Sequence, residues 1–233
     1  MTKSILVVLT SHDQLLTGKP TGWYLPELAH PYYAFKKAGY TLTAASPKGG
    51  KAPLDQTSVE MFKEDAECKQ FLNDSEAQEF VNNTKKLSEV DTKGTGYDAI
   101  FYPGGHGPCF DLPEDAHSNE LIKNFFESKR PVSAVCHAPV AFCNTKLSDG
   151  SYILKDRQAV AFTNEEEEQA GMTDAIPYLV ETRMIERGAK FEKSSPWQEK
   201  VLVDKDSEGR VLITGQNPAS AAGVGQAIIK ALA

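Results

Sequence analysis

The sequence predicts a doubly wound α/β protein, a mostly parallel sheet with helices on both faces. Three observations point there. Short runs that are apolar on both faces recur along the chain, each is followed by a helix-length pattern, and 233 residues suffice for one such core.

The first run, SILVVLT (4–10), reads as the opening strand. It breaks at Thr10, lacks a cleavage site and falls far short of the roughly 20 apolar residues of a membrane span. GWYLPELAHPYYAFKKAG (22–39) follows as a helix, with Leu25, Leu28, Tyr32 and Phe35 on one face and Gly39 as its stop. Pro26 suits a first turn, whereas Pro31 is expected to kink the helix.

Further strands are expected at YTLTAAS (40–46), DAIFYPGG (98–105), PVSAVC (131–136) and QAVAFT (158–163). Helices are expected at 119–129, briefly from Pro139, over 165–187 with a bend at Pro177, and at the C-terminal NPASAAGVGQAIIKALA. Two segments break the alternation. Residues 47–96 are polar and helical and read as a cap inserted into a single domain spanning 1–233; VLVDKDSEGRVLIT (201–214) reads as a peripheral hairpin.

The net charge of -7 makes nucleic acid a poor partner, and nothing calls for a membrane. The four cysteines (Cys68, Cys109, Cys136 and Cys143) form no CxxC pair and have no histidines at zinc-site spacing, so reduced thiols in a cytoplasmic or nuclear protein are expected. His30 lacks a second histidine at ligand spacing, and no metal is assigned to it.

The chemistry concentrates in RPVSAVCHAPVAF (130–142). Cys136 ends an apolar strand and Pro139 opens the next helix, so the thiol sits at a strand-to-helix elbow, where ligands bind in open α/β sheets. A free thiol with a pKa near 8.5 is only about 3% thiolate at pH 7, and a helix N-terminus can lower that value by a few units. A standing thiolate at Cys136 is therefore expected, with His137 as its proton carrier. The alternative is a small buried cysteine beside a core imidazole.

YPGGHGP (102–108) ends another strand, and its Gly105 and His106 N–H groups are candidate oxyanion donors. Glu27, set among Trp23, Tyr24, Leu25 and Leu28, would be held protonated by desolvation. In the acidic run NEEEE (164–168), Thr163 and Glu166 have capping-box spacing, which leaves another glutamate to orient His137.

AVCHAP, PGGHG and PELAHPYYAF together resemble the ThiJ/PfpI superfamily, flavodoxin-like relatives of class I glutamine amidotransferases. The likeness, with LTS at the first strand and TGQNPASA near the end, is to the fungal-type heat-shock chaperone and glutathione-independent glyoxalase branch and runs nearly end to end. Ala138 stands where many relatives carry glycine, and Cys109 adds a second thiol after GGHGP, read as packed and inert.

The resemblance implies Cys136 as nucleophile, His137 as proton shuttle, Glu27 as the protonated carboxyl and Glu167 as the acid orienting His137. It implies conversion of methylglyoxal and other small 2-oxoaldehydes to D-lactate and 2-hydroxy acids with no cofactor, in a small pocket, by a homodimer. A stress holdase binding unfolded clients, a cysteine peptidase or amidase, and a peroxide sensor remain open beside it.

Overall fold

The computed structural model describes residues 2–233. Nine strands run in chain order as β1 (Ser4–Val8), β2 (Thr41–Ser46), β3 (Lys85–Lys86), β4 (Ala99–Tyr102), β5 (Val132–Val135), β6 (Gln158–Ala159), β7 (Lys190–Phe191), β8 (Val201–Lys205) and β9 (Val211–Gly215). Seven of them form one sheet in the order β3-β2-β1-β4-β5-β9-β8, every pairing parallel except β8 against β9.

Strand alternation sends β1 side chains to two cores. Ile5 and Val7 join Leu28, Phe35, Val224 and Ile228 on one face, while Leu6 and Val8 join Phe125, Phe126 and Phe142 on the other. The helices run in chain order as α1 (Leu25–Lys37), α2 (Gln56–Met61), α3 (Ala66–Asn73), α4 (Ser75–Asn82), α5 (Pro108–Asp111), α6 (Ala116–Glu127), α7 (Asn164–Gln169), α8 (Val180–Glu186) and α9 (Ala221–Leu232); α1 and α9 cover the first face, α6 and the turn that holds Phe142 the second. Both faces of the central strands are thus covered, which is why their sequences are apolar throughout.

Pro26 lies in the first turn of α1, and the helix continues through Pro31. A Cβ at Gly225 would come to 3.2 Å from the Pro31 Cα, so a glycine in α9 lets the two helices lie close. Segment 47–96 supplies α2, α3 and α4, each started by an aspartate (Asp55, Asp65, Asp74) whose carboxylate accepts first-turn N–H groups. It also extends the sheet, because β3 pairs with the end of β2, and Phe71 of α3 packs edge-on against Trp23 and Tyr32.

Four expectations are corrected. The 201–214 hairpin is not peripheral: β9 is buried along its whole length and pairs parallel with β5, leaving only β8 at the edge. Of 158–163, only Gln158 and Ala159 are strand, and they pair with β7 in a separate two-stranded sheet. The place beside β5 is already taken by β9, so the buried stretch from Val160 tethers sideways instead, its first N–H donating to the Thr214 hydroxyl at 3.0 Å. The single helix over 165–187 is two short ones, α7 and α8, because Gly171 turns left-handed (φ 68°) and Pro177 follows. The turn after Cys136 is a 3₁₀ helix over Ala138–Phe142, too short to carry a strong dipole.

The interior place of β9 has a measurable consequence. Ile213→Ala, at a fully buried β9 position, is expected to cost about 2–5 kcal/mol in urea unfolding, whereas Val203→Ala on β8, 52% exposed, stays within about 0.5–1 kcal/mol.

Candidate active site

Strand order reverses between β1 and β4, with β2 lying on one side and β5 on the other. In such sheets the crevice opens at the carboxyl ends of these strands. The segments leaving β1, β4 and β5 carry Glu27, Gly104–His106 and Cys136–His137, so the topology itself gathers these residues.

Cys136 occupies the left-handed region (φ 62°), an unfavoured conformation for a residue with a Cβ. Two backbone bonds hold it there: its N–H donates to Gly215 O at 2.9 Å, and its carbonyl accepts the Phe162 N–H at 2.8 Å. The elbow turns the sulfur toward a cavity of about 540 Å³ while leaving the residue only 3% exposed. Gly104 makes room: a Cβ there would run into the Glu27 carboxylate, the Val135 carbonyl and the Cys136 side chain. Gly105 takes φ 98°, and a Cβ on it would strike the Gly22 carbonyl.

Glu27 is fully buried. Gly104 N–H donates to its Oε2 at 2.9 Å, and Oε1 has no nitrogen or oxygen partner among the described residues. The carboxyl lies within hydrogen-bonding reach of the Cys136 sulfur. Burial pushes its pKa up to about 8, a shift the bonds to Cys136 and Gly104 only partly offset, so it keeps its proton at neutral pH.

On the other side of the sulfur, His137 Nδ1 lies 3.2 Å from Sγ and Nε2 lies 2.5 Å from Glu167 Oε2. Burial would raise the Glu167 carboxyl, but the His137 and His106 imidazoles outweigh it and hold it far below the usual carboxylate range. The ionised oxygen therefore accepts the Nε2–H, which leaves the Nδ1 lone pair free for the thiol proton. Burial also lowers the His137 pKa, against the pull of Glu167, and so favours the neutral imidazole.

The expected standing thiolate is not what this environment produces. Burial first, then the negative charge that Glu27 would carry once ionised, pushes the Cys136 thiol well above its ordinary value. The resting sulfur carries its proton, with a neutral base on one side and a neutral acid on the other. This arrangement can form a thiolate on demand, by passing the proton to Nδ1.

The four glutamates divide by helix geometry. Glu165 and Glu168 face solvent. Glu166 closes the capping box with Thr163 and also accepts from the Trp197 N–H at 2.8 Å and Asn217 Nδ2 at 2.8 Å. Glu167 turns to the imidazoles.

His106 was expected to contribute through its backbone. Its N–H and that of Gly105 have no acceptor among the described residues, but the side chain does more: Nε2 lies 2.9 Å from Glu167 Oε1, and the ring sits 4.2 Å from that of His137. Sequence carried no sign of this contact, because 61 positions separate the two partners. Tyr24, Met61, Phe162 and Trp197 also line the cavity, and no motif marks them, since each reads as an ordinary core or surface residue in sequence. The space is larger than the small pocket expected for a three-carbon substrate. Cys109 is buried away from the cavity lining, its thiol pushed well up by burial.

His106, His137 and Glu167 present three donor atoms within 4.8 Å of one another, as do His30, Asp65 and Cys68. In both groups hydrogen bonds already join donors, His30 Nε2 meeting Asp65 Oδ1 at 3.1 Å. Among the described residues no helix is long and apolar enough to cross a membrane.

The model of the DJ-1/PfpI family matches residues 21–153, the stretch that holds Glu27, the glycine turn and the elbow. The chain belongs to the DJ-1/PfpI family. Among proteins of this family it is similar to Glyoxalase 3 of Candida albicans, 32% identical over 97% of both chains. The structure is similar to that of glyoxalase III from Candida albicans, with TM-score 0.86, 29% identity and coverage of 98% of this chain and 97% of that one. It is also similar to Rapid Encystment Protein 24 KDa of Francisella tularensis, with TM-score 0.91, 35% identity and full coverage of both chains. The flavodoxin-like fold expected from the sequence is the fold these DJ-1/PfpI structures share.

The proton on Glu27 links this site to stability. Its native pKa of about 8 stands above the ordinary 4.5, so between those values the native state holds a proton that the unfolded chain has lost. Stability from this group is full at low pH and declines as pH rises through the window, by up to about 1.36 kcal/mol per unit. Glu27→Gln is expected to flatten that slope and to be about 1–3 kcal/mol more stable than wild type above pH 7 in denaturant titrations.

Proposed function

We propose that this protein is a glutathione-independent glyoxalase that converts methylglyoxal to lactate through a covalent adduct on Cys136. The observation that carries the reading is the Cys136 sulfur at the cavity wall, 3.2 Å from a neutral imidazole and backed by a buried protonated carboxyl. Its similarity to Glyoxalase 3 over 97% of the chain supports the same reaction.

The steps follow from the proton positions. As the aldehyde binds, His137 Nδ1 takes the thiol proton and the sulfur adds to the aldehyde carbon, giving a hemithioacetal. The developing oxyanion is met by the free N–H groups of Gly105 and His106 and is then protonated. Removal of the C1 proton and protonation of the ketone oxygen give an enediol. Protonation at C2, with loss of the C1 hydroxyl proton, leaves a thioester of the 2-hydroxy acid, and water cleaves it to release lactate and the thiol. The aldehyde carbon is oxidised and the ketone carbon reduced, so no external oxidant or cofactor is required.

His137 moves the protons, and Glu167 stabilises its imidazolium form. Glu27 donates to sulfur as it becomes anionic, which opposes the burial penalty. The His106 ring, sharing Glu167 with His137, holds the carboxylate in position and ionised. Segment 47–96 acts as a cap, supplying Asp55, Thr57 and Met61 to the cavity wall.

Purified protein without glutathione is expected to form lactate from methylglyoxal, and Cys136→Ala to lose at least about 10³-fold in kcat. Full activity of that variant would end this reading. The profile of kcat/KM against pH should be bell-shaped. Its alkaline limb falls near pH 8, as Glu27 loses its proton, and its acid limb lies below the ordinary imidazole value, because burial holds His137 neutral.

A further inference from the structure

The cavity above Cys136 has about 540 Å³, a volume in the range of roughly 300–1,000 Å³ that accepts drug-sized ligands. A three-carbon 2-oxoaldehyde fills a small part of it. The remaining wall is mostly apolar, formed by Leu15, Tyr24, Met61, Phe162, Met172 and Trp197, with Lys19, Asp55 and Thr57 as its polar members.

These side chains are arranged in order from the reacting centre outward. The Phe162 ring stacks on the His137 imidazole, with centroids 4.4 Å apart and planes 28° from parallel. Trp197 meets Phe162 edge-on at 5.6 Å. An aromatic wall therefore starts at the catalytic imidazole and reaches the mouth of the cavity, where Trp197 is 45% exposed. Also lining the cavity is Met61, 66% exposed, whose sulfur accepts the Tyr24 hydroxyl at 3.2 Å. Met172 adds a second thioether, a group that adapts readily to aromatic ligands.

Trp197 is held deliberately in place. It is one of the few non-glycine residues with positive φ, at 64°. Its backbone N–H donates to the buried Glu166 carboxylate at 2.8 Å, and its indole N–H to Gln169 Oε1 at 2.7 Å. A large apolar residue fixed in an unfavoured backbone conformation, half open to water at the mouth of the cavity that holds the nucleophile, is organised for a ligand rather than for the core.

We propose that the preferred substrates are 2-oxoaldehydes bearing a bulky apolar group, aryl or branched alkyl, on the ketone carbon. That group lies along the Phe162–Trp197 wall against Met61 and Met172, with the aldehyde carbon at Cys136. Trp197 and Met61 determine specificity. The inference rests on the glyoxalase reading and uses the same balanced reaction: substrate plus water gives the 2-hydroxy acid, whatever the substituent.

The test is kcat/KM for methylglyoxal, isopropylglyoxal, isobutylglyoxal and phenylglyoxal with wild type, Trp197→Ala, Trp197→Phe and Met61→Ala. In wild type kcat/KM is expected to rise about fourfold per added carbon along the aliphatic series, and to be at least tenfold higher for phenylglyoxal than for methylglyoxal. Trp197→Ala should lower the phenylglyoxal-to-methylglyoxal ratio about tenfold, chiefly through KM, with Trp197→Phe restoring most of it and Met61→Ala lowering it severalfold. A flat series, or variants that depress all substrates equally, overturns the specificity while leaving the glyoxalase reading intact. No turnover of any 2-oxoaldehyde by folded wild type overturns both.

Discussion

Glu27 has no exposed surface, and the Cys136 sulfur beside it is nearly as enclosed, so the pair cannot both be ionised without a large desolvation cost. One of them has to keep a proton. The bond from Gly104 N–H steadies the carboxyl but does not offset its burial, and the proton stays there at neutral pH. Everything else in the site is compatible with that constraint: a neutral imidazole, an ionised Glu167 facing away from the sulfur, and a cavity that admits only what reaches the elbow. The site stores its nucleophile as a thiol and depends on His137 to uncover it.

Backbone geometry makes this proximity possible. The order reversal between β1 and β4 brings three chain segments to one end of the sheet, and β9 fastens the third by accepting the Cys136 N–H. The left-handed conformation of Cys136 costs energy that two backbone bonds and the packed strands on either side offset. Gly104 is the complementary concession, since any side chain there would separate the carboxyl from the sulfur it faces.

Neighbouring glutamates of the acidic run serve different ends because successive positions on a helix point about 100° apart. Glu166 ties together the start of α7, Trp197 and Asn217, and the next residue reaches two imidazoles. The chain thus couples the wall of the cavity to the proton relay through adjacent carboxylates. Disturbing Glu166 would reach both.

Much of this was legible in the sequence wherever the signal was local. The strands at 4–10, 40–46, 98–105 and 131–136 follow from apolar runs, the capping box from Thr163 and Glu166, and the elbow from a thiol between strand and proline, because each depends on residues within one turn or one strand. The interior position of β9, the partnership of His106 with Glu167 and the protonated resting state of Cys136 were not legible. Those depend on which segments pack together and how far water is excluded, and both are properties of the assembled chain. Sequence alone determined which chemical groups this protein has to work with. Tertiary structure decided their protonation, because pKa follows from burial and neighbouring charge, and neither exists until the sheet and its covering helices have formed.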